Sequence, residues 1–177
     1  MKWLRNIFGE SKMAALSTGT TAPDFTLPTM DGKNFSLREA LTRGPVVLAF
    51  FKVSCPVCQY AFPFLQRIYQ AYGNRHVTIA AVSQNNKKET SLFLREYGVT
   101  FPVLLDDTNT YPVSNAYGLT NVPTAFWIGQ DGEIEVSSVG WVRQEIEDIN
   151  RRAAEANGDG AKPVFDPGEQ VADFRAG

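Results

Sequence analysis

With 177 residues, 44% of them hydrophobic and 20% charged, the chain is long enough to bury one full core and has the composition of a globular protein. A net charge of −2 gives no electrostatic case for nucleic acid as a partner, and no stretch approaches the roughly eighteen uncharged apolar residues that a membrane span needs. Two cysteines are too few for the disulfide framework of a secreted mini-protein.

The chain opens with basic residues, Lys2 and Arg5, but Asn6, Gly9, Glu10, Ser11 and Lys12 interrupt any apolar run of the kind a secretory leader carries. A cytoplasmic location is the expectation. Trp3, Leu4, Ile7 and Phe8 would share one face of a short docking helix, and Met13 is an alternative start. Residues 1–18 read as an N-terminal extension, 19–157 as one domain and 158–177 as an irregular C-terminal tail.

Within the domain, Pro23 marks an irregular or edge segment, and Asp31-Gly32 is a turn signal with a short strand after it. Ser36 with Glu39 predicts the cap of a helical turn or two, broken by Arg43-Gly44-Pro45. Residues 46–51 are apolar without alternation, as in a strand buried on both faces of an α/β sheet. Phe62, Leu65, Ile68, Tyr69 and Tyr72 recur at helical spacing over 57–72, with Gly73 as the stop and Pro63 as an interruption that should kink the helix. Residues 77–82 repeat the buried-strand pattern. Asn86 with Glu89 predicts a helix to Tyr97, residues 101–105 are extended, and 110–117 predict a short helix. A third apolar strand, 125–128, follows Val122-Pro123-Thr124. After the turn at Asp131-Gly132, residues 133–139 alternate like an outer antiparallel strand, and Ile146, Ile149, Ala153 and Ala156 mark a last helix over 144–156. Residues 161–177 are rich in Pro and Gly and predict an irregular surface extension or partial disorder. Strands alternating with helices predict an α/β fold, a central mixed sheet with helices on both faces.

The chemistry sits in Ser54-Cys55-Pro56-Val57-Cys58, at the junction of a buried strand and a helix. Residues three apart on a helix share a face, so two sulfurs at this spacing can reach disulfide geometry. The first turn of a helix carries unpaired N–H groups and a partial positive charge, which favour a thiolate. Pro56 fits the first helical position, where its missing N–H costs nothing. Cys55, at the junction, is expected to be the nucleophile, and Cys58, one turn in, the resolving thiol. A bridge this short closes too small a loop to constrain the unfolded chain much, which argues for chemistry over structure. A zinc site would need about four ligands, and the chain has two cysteines and one histidine. No cofactor is expected beyond the redox-active pair. Lys52, Arg67, His76 and Lys87-Lys88 read as solvated, and Phe62, Phe64, Tyr69 and Tyr72 as packing residues.

Ala22-Pro23-Asp24-Phe25 with Leu27, Asp31-Gly32, the run from Val46 through Cys58, Phe62-Pro63, Val122-Pro123-Thr124 and Asp131-Gly132-Glu133-Ile134 together resemble the thioredoxin-like superfamily. The branch is similar to the TlpA/ResA-type thiol-disulfide oxidoreductases, bordering the redoxin (AhpC/TSA) group, and the resemblance covers roughly residues 19–150. It implies a thioredoxin-like fold and exchange of disulfides with a protein or small thiol partner, with a thiol reductant as electron donor and the reductase direction favoured by a cytosolic setting. It also implies that Pro123 is a cis-proline beside the dithiol. Val122 would pair with substrate, Pro56 and Val57 would line the approach, and Ser54 and Thr124 would support it. Two positions depart from the family: Ser54 stands where Trp is usual, and Ala61 where the branch often has Glu. Two alternatives stay open. One is a thiol-dependent peroxidase, although Lys52 stands three before Cys55 where peroxiredoxins carry Thr or Ser. The other is a non-catalytic binding module. The tail stretch 168–174 also echoes 19–25, which allows a docking role for it.

Overall fold

The computed structural model describes residues 14–73 and 75–177. The docking helix expected at Trp3, Leu4, Ile7 and Phe8, and the alternative start Met13, lie outside the described residues. In chain order the elements are β1 (Thr26–Pro28), β2 (Asn34–Ser36), α1 (Leu37–Leu41), β3 (Val46–Phe51), α2 (Pro56–Tyr72), β4 (Thr78–Ser83) and α3 (Lys87–Glu96). They continue with β5 (Val103–Leu105), α4 (Pro112–Ala116), β6 (Thr124–Ile128), β7 (Ile134–Val139), β8 (Trp141–Val142), α5 (Arg143–Ala156) and β9 (Phe174–Arg175).

The unbroken apolar run of β3 makes it the centre of a five-stranded sheet ordered β5-β4-β3-β6-β7. It pairs parallel with β4 and antiparallel with β6. Successive strand side chains point to opposite faces. Val47, Ala49 and Phe51 therefore join one buried cluster, with α2, α5 and Phe93 of α3. Val46, Leu48 and Phe50 join the other, with Leu37 and Ala40 of α1 and Val113 of α4. Burying a large apolar side chain stabilises by about 1.5–3 kcal/mol, so a strand that feeds both cores holds its own end rigidly. That end carries the cysteines.

Local chemistry sets the helix starts as expected: the Ser36 side chain accepts from Glu39 N–H, and Asn86 Oδ1 accepts from Glu89 N–H at 2.9 Å. Helix α2 runs through Pro63 as a single element. The third strand begins one residue early, at Thr124, and the second spans 78–83 rather than 77–82.

The tail is irregular and mostly exposed, in keeping with the expected surface extension, but it is anchored at points the sequence did not mark. Val164 and Phe165 are buried in the same cluster as α2, and Phe165 packs edge-on against Phe64 with ring centroids 5.2 Å apart. Phe174 and Arg175 pair antiparallel with Val142 and Trp141. Low apolar content hid this, because two well-placed side chains and a few backbone hydrogen bonds anchor the segment.

Candidate active site

Strand β3 delivers the chain into a turn in which Cys55 N–H donates to the Lys52 carbonyl at 3.2 Å. Cys55 is the N-cap of α2, and Pro56 occupies the first turn. Its sulfur accepts from the Cys58 backbone N–H at 3.2 Å, the task a Ser or Asp oxygen performs in most N-caps. The same sulfur donates to the Val122 carbonyl at 3.3 Å. Both cysteines are free thiols. Cys55 is half-buried, whereas Cys58 is fully buried beside Ala61 and Phe62. Burial pushes the Cys58 thiol far above its ordinary range, and its hydrogen bond with Cys55 pushes the same way, against a backbone hydrogen bond from Lys52. The two sulfurs thus have distinct environments, one reachable from solvent and one held neutral.

The β3–β6 register explains how Pro123 reaches the dithiol. Phe50 pairs with Thr124 in antiparallel strands, so the residue before Thr124 lies across from the chain leaving Phe50. The Val122–Pro123 peptide is cis, and Pro123 is buried. Buried Thr124 donates through Oγ1 to the Asn121 carbonyl at 2.8 Å, and Gly140 N–H donates to the Pro123 carbonyl at 2.8 Å. These bonds fix the bend that turns the Val122 carbonyl toward Cys55. Ser54 and Pro56 are exposed and Val57 half-buried, so these three form the rim around Cys55.

Other residues that hold the site were missed from the sequence. Asn85 Oδ1 accepts from Val53 N–H at 3.0 Å, and Gln59 Nε2 donates to the Val53 carbonyl at 3.0 Å. Val53 is therefore clamped on both of its backbone groups, two residues before Cys55. Asn85 is anchored in turn by Glu89, which accepts from its Nδ2 at 3.0 Å. Nothing in the local pattern ties Asn85 to residue 53, because the contact joins two strand ends that only the parallel pairing brings together. Exposed Lys52 lines a cleft with Gln84, Tyr111, Asn121 and Val122. Arg67 is not a free surface cation: it makes two 2.8 Å hydrogen bonds to Glu169. His76 is exposed. Among the described residues, no three His, Cys, Asp or Glu side chains gather as a metal site, and no helix is long and apolar enough to cross a membrane.

Known proteins share this fold and part of this sequence. The solved thioredoxin domain of a thiol-disulfide oxidoreductase from Bacteroides vulgatus superposes with a TM-score of 0.69 at 20% identity, covering 78% of this chain and 98% of that one. A thiol:disulfide interchange protein of the thioredoxin family from Chlorobium tepidum gives 0.64 at 24% identity, covering 79% and 99%. At these identities the likeness speaks for the thioredoxin-like fold. In sequence, the thiol-disulfide oxidoreductase ResA of Geobacillus thermodenitrificans is 32% identical over 141 residues, 79% of this chain and 78% of the relative. ResA of Bacillus subtilis is 33% identical over 121 residues, 68% and 66% of the two chains. The model of the AhpC/TSA family matches residues 18–137. On that match and on its likeness to the ResA proteins, the chain belongs to the AhpC/TSA family.

Proposed function

We propose that the protein is a thiol-disulfide oxidoreductase acting through Cys55 and Cys58, working as a reductase of disulfides in a protein or a small thiol compound. The observation that carries this reading is the placement of Cys55 Sγ between the Cys58 N–H at 3.2 Å and the Val122 carbonyl at 3.3 Å. The amide, at the positive end of a 17-residue helix, stabilises the thiolate once the proton has left.

The thiolate of Cys55 attacks one sulfur of the substrate disulfide. The other sulfur leaves as a thiolate, and a mixed disulfide joins Cys55 to the substrate. Cys58 then gives up its proton and attacks Cys55 Sγ. The Cys55–substrate bond breaks, and the second substrate sulfur leaves. Because burial holds Cys58 neutral, this step needs a proton acceptor. Ala61, itself buried, supplies none, so the departing substrate thiolate is the natural recipient. The product is reduced substrate and a Cys55–Cys58 disulfide, which a thiol reductant returns to the dithiol. Val122 and Pro123 form the wall against which the substrate lies. Pro56 and Val57 border the approach, with Ser54 and Thr124 in support. No cofactor beyond the dithiol enters the scheme. The reducing direction goes with a cytoplasmic setting, which cell fractionation tests.

Insulin-disulfide reduction tests the reading. Wild type is active, Cys55→Ser is inactive, and Cys58→Ser accumulates mixed disulfides. Equal activity of all three proteins overturns it. Peroxide turnover at the rate of a peroxiredoxin would shift the assignment to a peroxidase, the other chemistry of the family.

A further inference from the structure

The segment after α5 runs back along α2, from the end of the redox helix to its beginning. Lys162 N–H donates to Tyr72 Oη at 2.7 Å. One turn or two earlier on α2, Arg67 binds the Val164 carbonyl at 3.1 Å and the Glu169 carboxylate. Nearer the cysteines, Ala172 N–H donates to Tyr60 Oη at 3.1 Å, and the Arg175 guanidinium stacks 3.9 Å from the centre of the Tyr60 ring. Trp141 Nε1 donates to the Ala172 carbonyl and Arg143 N–H to the Asp173 carbonyl, at 2.6 and 2.9 Å. The path is held throughout its length.

It leads to Val122. Asn121 Nδ2 donates to the Gly177 carbonyl at 2.9 Å. A Cβ built on Gly177 would stand 2.6 Å from the Val122 oxygen, the atom to which Cys55 donates. A Cβ on Gly140 would stand 2.5 Å from the Arg175 oxygen and 2.9 Å from the Gly177 nitrogen. Residues 175–177 therefore lie in backbone contact with the bend that carries Pro123. An added strand needs a lane about 4.8 Å from its neighbour, and Gly177 stands in that lane. A small disulfide needs no lane, only a solvent path to the half-buried Cys55 sulfur.

We infer that residues 173–177 are a specificity element of the dithiol site, occupying the strand-pairing position beside Val122 so that the protein turns over small disulfides in preference to extended polypeptide ones. The inference rests on the exchange reading above and deepens it by naming the substrate class. The segment slows polypeptide substrates through shape without abolishing their turnover, since the reacting sulfur itself stays open.

The test compares steady-state reduction of hydroxyethyl disulfide and of insulin by the full chain, by a chain shortened to end at Arg175, and by Gly177→Val. The shortened chain keeps β9 and the Tyr60 stack. Gly177→Val keeps the full length, but its Cβ would stand 2.6 Å from the Val122 oxygen, so residue 177 must move out of the lane. In both variants the insulin rate should rise by about tenfold, the effect of one or two backbone hydrogen bonds becoming available to substrate. The hydroxyethyl disulfide rate should stay within about twofold, a difference too small to reflect a lost backbone contact. Thermal unfolding confirms that the variants are folded. An insulin rate that is unchanged or lower in both folded variants overturns the inference while leaving disulfide exchange standing. Turnover of neither disulfide by any of the three proteins removes the exchange reading and this inference with it.

Discussion

The Cys55 thiol and the Val122 carbonyl are 67 residues apart in the chain and 3.3 Å apart in the fold. The contact exists because β6 lies antiparallel beside β3 with Thr124 opposite Phe50. The end of the strand that launches the dithiol and the start of the strand that follows the proline therefore meet at one end of the sheet, in its interior, and a shift of one residue in that register would turn every β6 side chain to the opposite face.

The difference in environment between the two thiols should be visible in their chemistry. Iodoacetamide added to the reduced native protein near pH 7.5 should modify Cys55 alone, with Cys58 reacting only after denaturation. Cys58 is fully buried, and burial raises its thiol far above ordinary values. Peptide mapping by mass spectrometry reads the ratio. Equal labelling of both residues in the folded protein would contradict the assigned roles.

Asn85 holds the turn before the nucleophile through Val53 N–H. Asn85→Ala leaves that part-buried amide without its partner and should lower stability by about 1–3 kcal/mol. It should also slow disulfide exchange by about tenfold through misplacement of Cys55. Asn85→Asp combined with Glu89→Gln, which keeps the acceptor for Val53 N–H and reverses the hydrogen bond between the two side chains, should recover most of the rate. Denaturant unfolding and insulin reduction measure the two effects separately.

Phe165 belongs to the core although it lies in the tail. It packs against Phe64 and Trp141, with ring centroids 5.2 and 6.1 Å away, and is 9% exposed. Phe165→Ala should cost about 3 kcal/mol, as for other buried aromatics. A change below about 0.5 kcal/mol, usual for surface sites, would mean that the segment is only laid on the surface. The midpoint of denaturant unfolding decides.

Acid should loosen the tail before it touches the cysteines. Hydrogen bonds from Arg67, followed by one from Asp166 N–H, hold the Glu169 carboxyl down from an ordinary 4.5 to about 2. A lowered folded-state value means the clasp contributes fully above pH 4.5 and is lost as pH falls through about 2. Amide exchange of residues 166–172 should accelerate over that window relative to α2. In Arg67→Ala it should already be fast at pH 6. Exchange that stays slow in that variant would show the clasp to be dispensable.

The parts of the fold governed by local pattern were legible in the sequence. The all-apolar β3 run announced a strand buried on both faces, Ser36 and Asn86 announced their caps, and the spacing of Cys55 and Cys58 at a strand-to-helix junction announced the dithiol. Val122-Pro123-Thr124 was found only through family resemblance, since an isolated proline before a strand has no unique meaning. Asn85 and Gln59 stayed hidden because their shared partner, Val53, lies on a turn beyond the end of β3 whose path depends on tertiary packing. The anchoring of the tail was illegible for a different reason. Composition averages over residues, and the anchors Val164, Phe165 and Glu169 are few, each matched to a specific partner on α2 or α5 that no periodicity encodes.

Because Cys58 sits inside the packing of α2 against β3, electron transfer and folding form two edges of one thermodynamic square. Any substitution that favours the compact dithiol form over the bridged form makes the protein a stronger oxidant, and any that favours the bridged form makes it a stronger reductant. At about 30 mV for each 1.4 kcal/mol, ordinary changes to Phe62, Phe51 or Ala61 are enough to retune the couple without touching a sulfur.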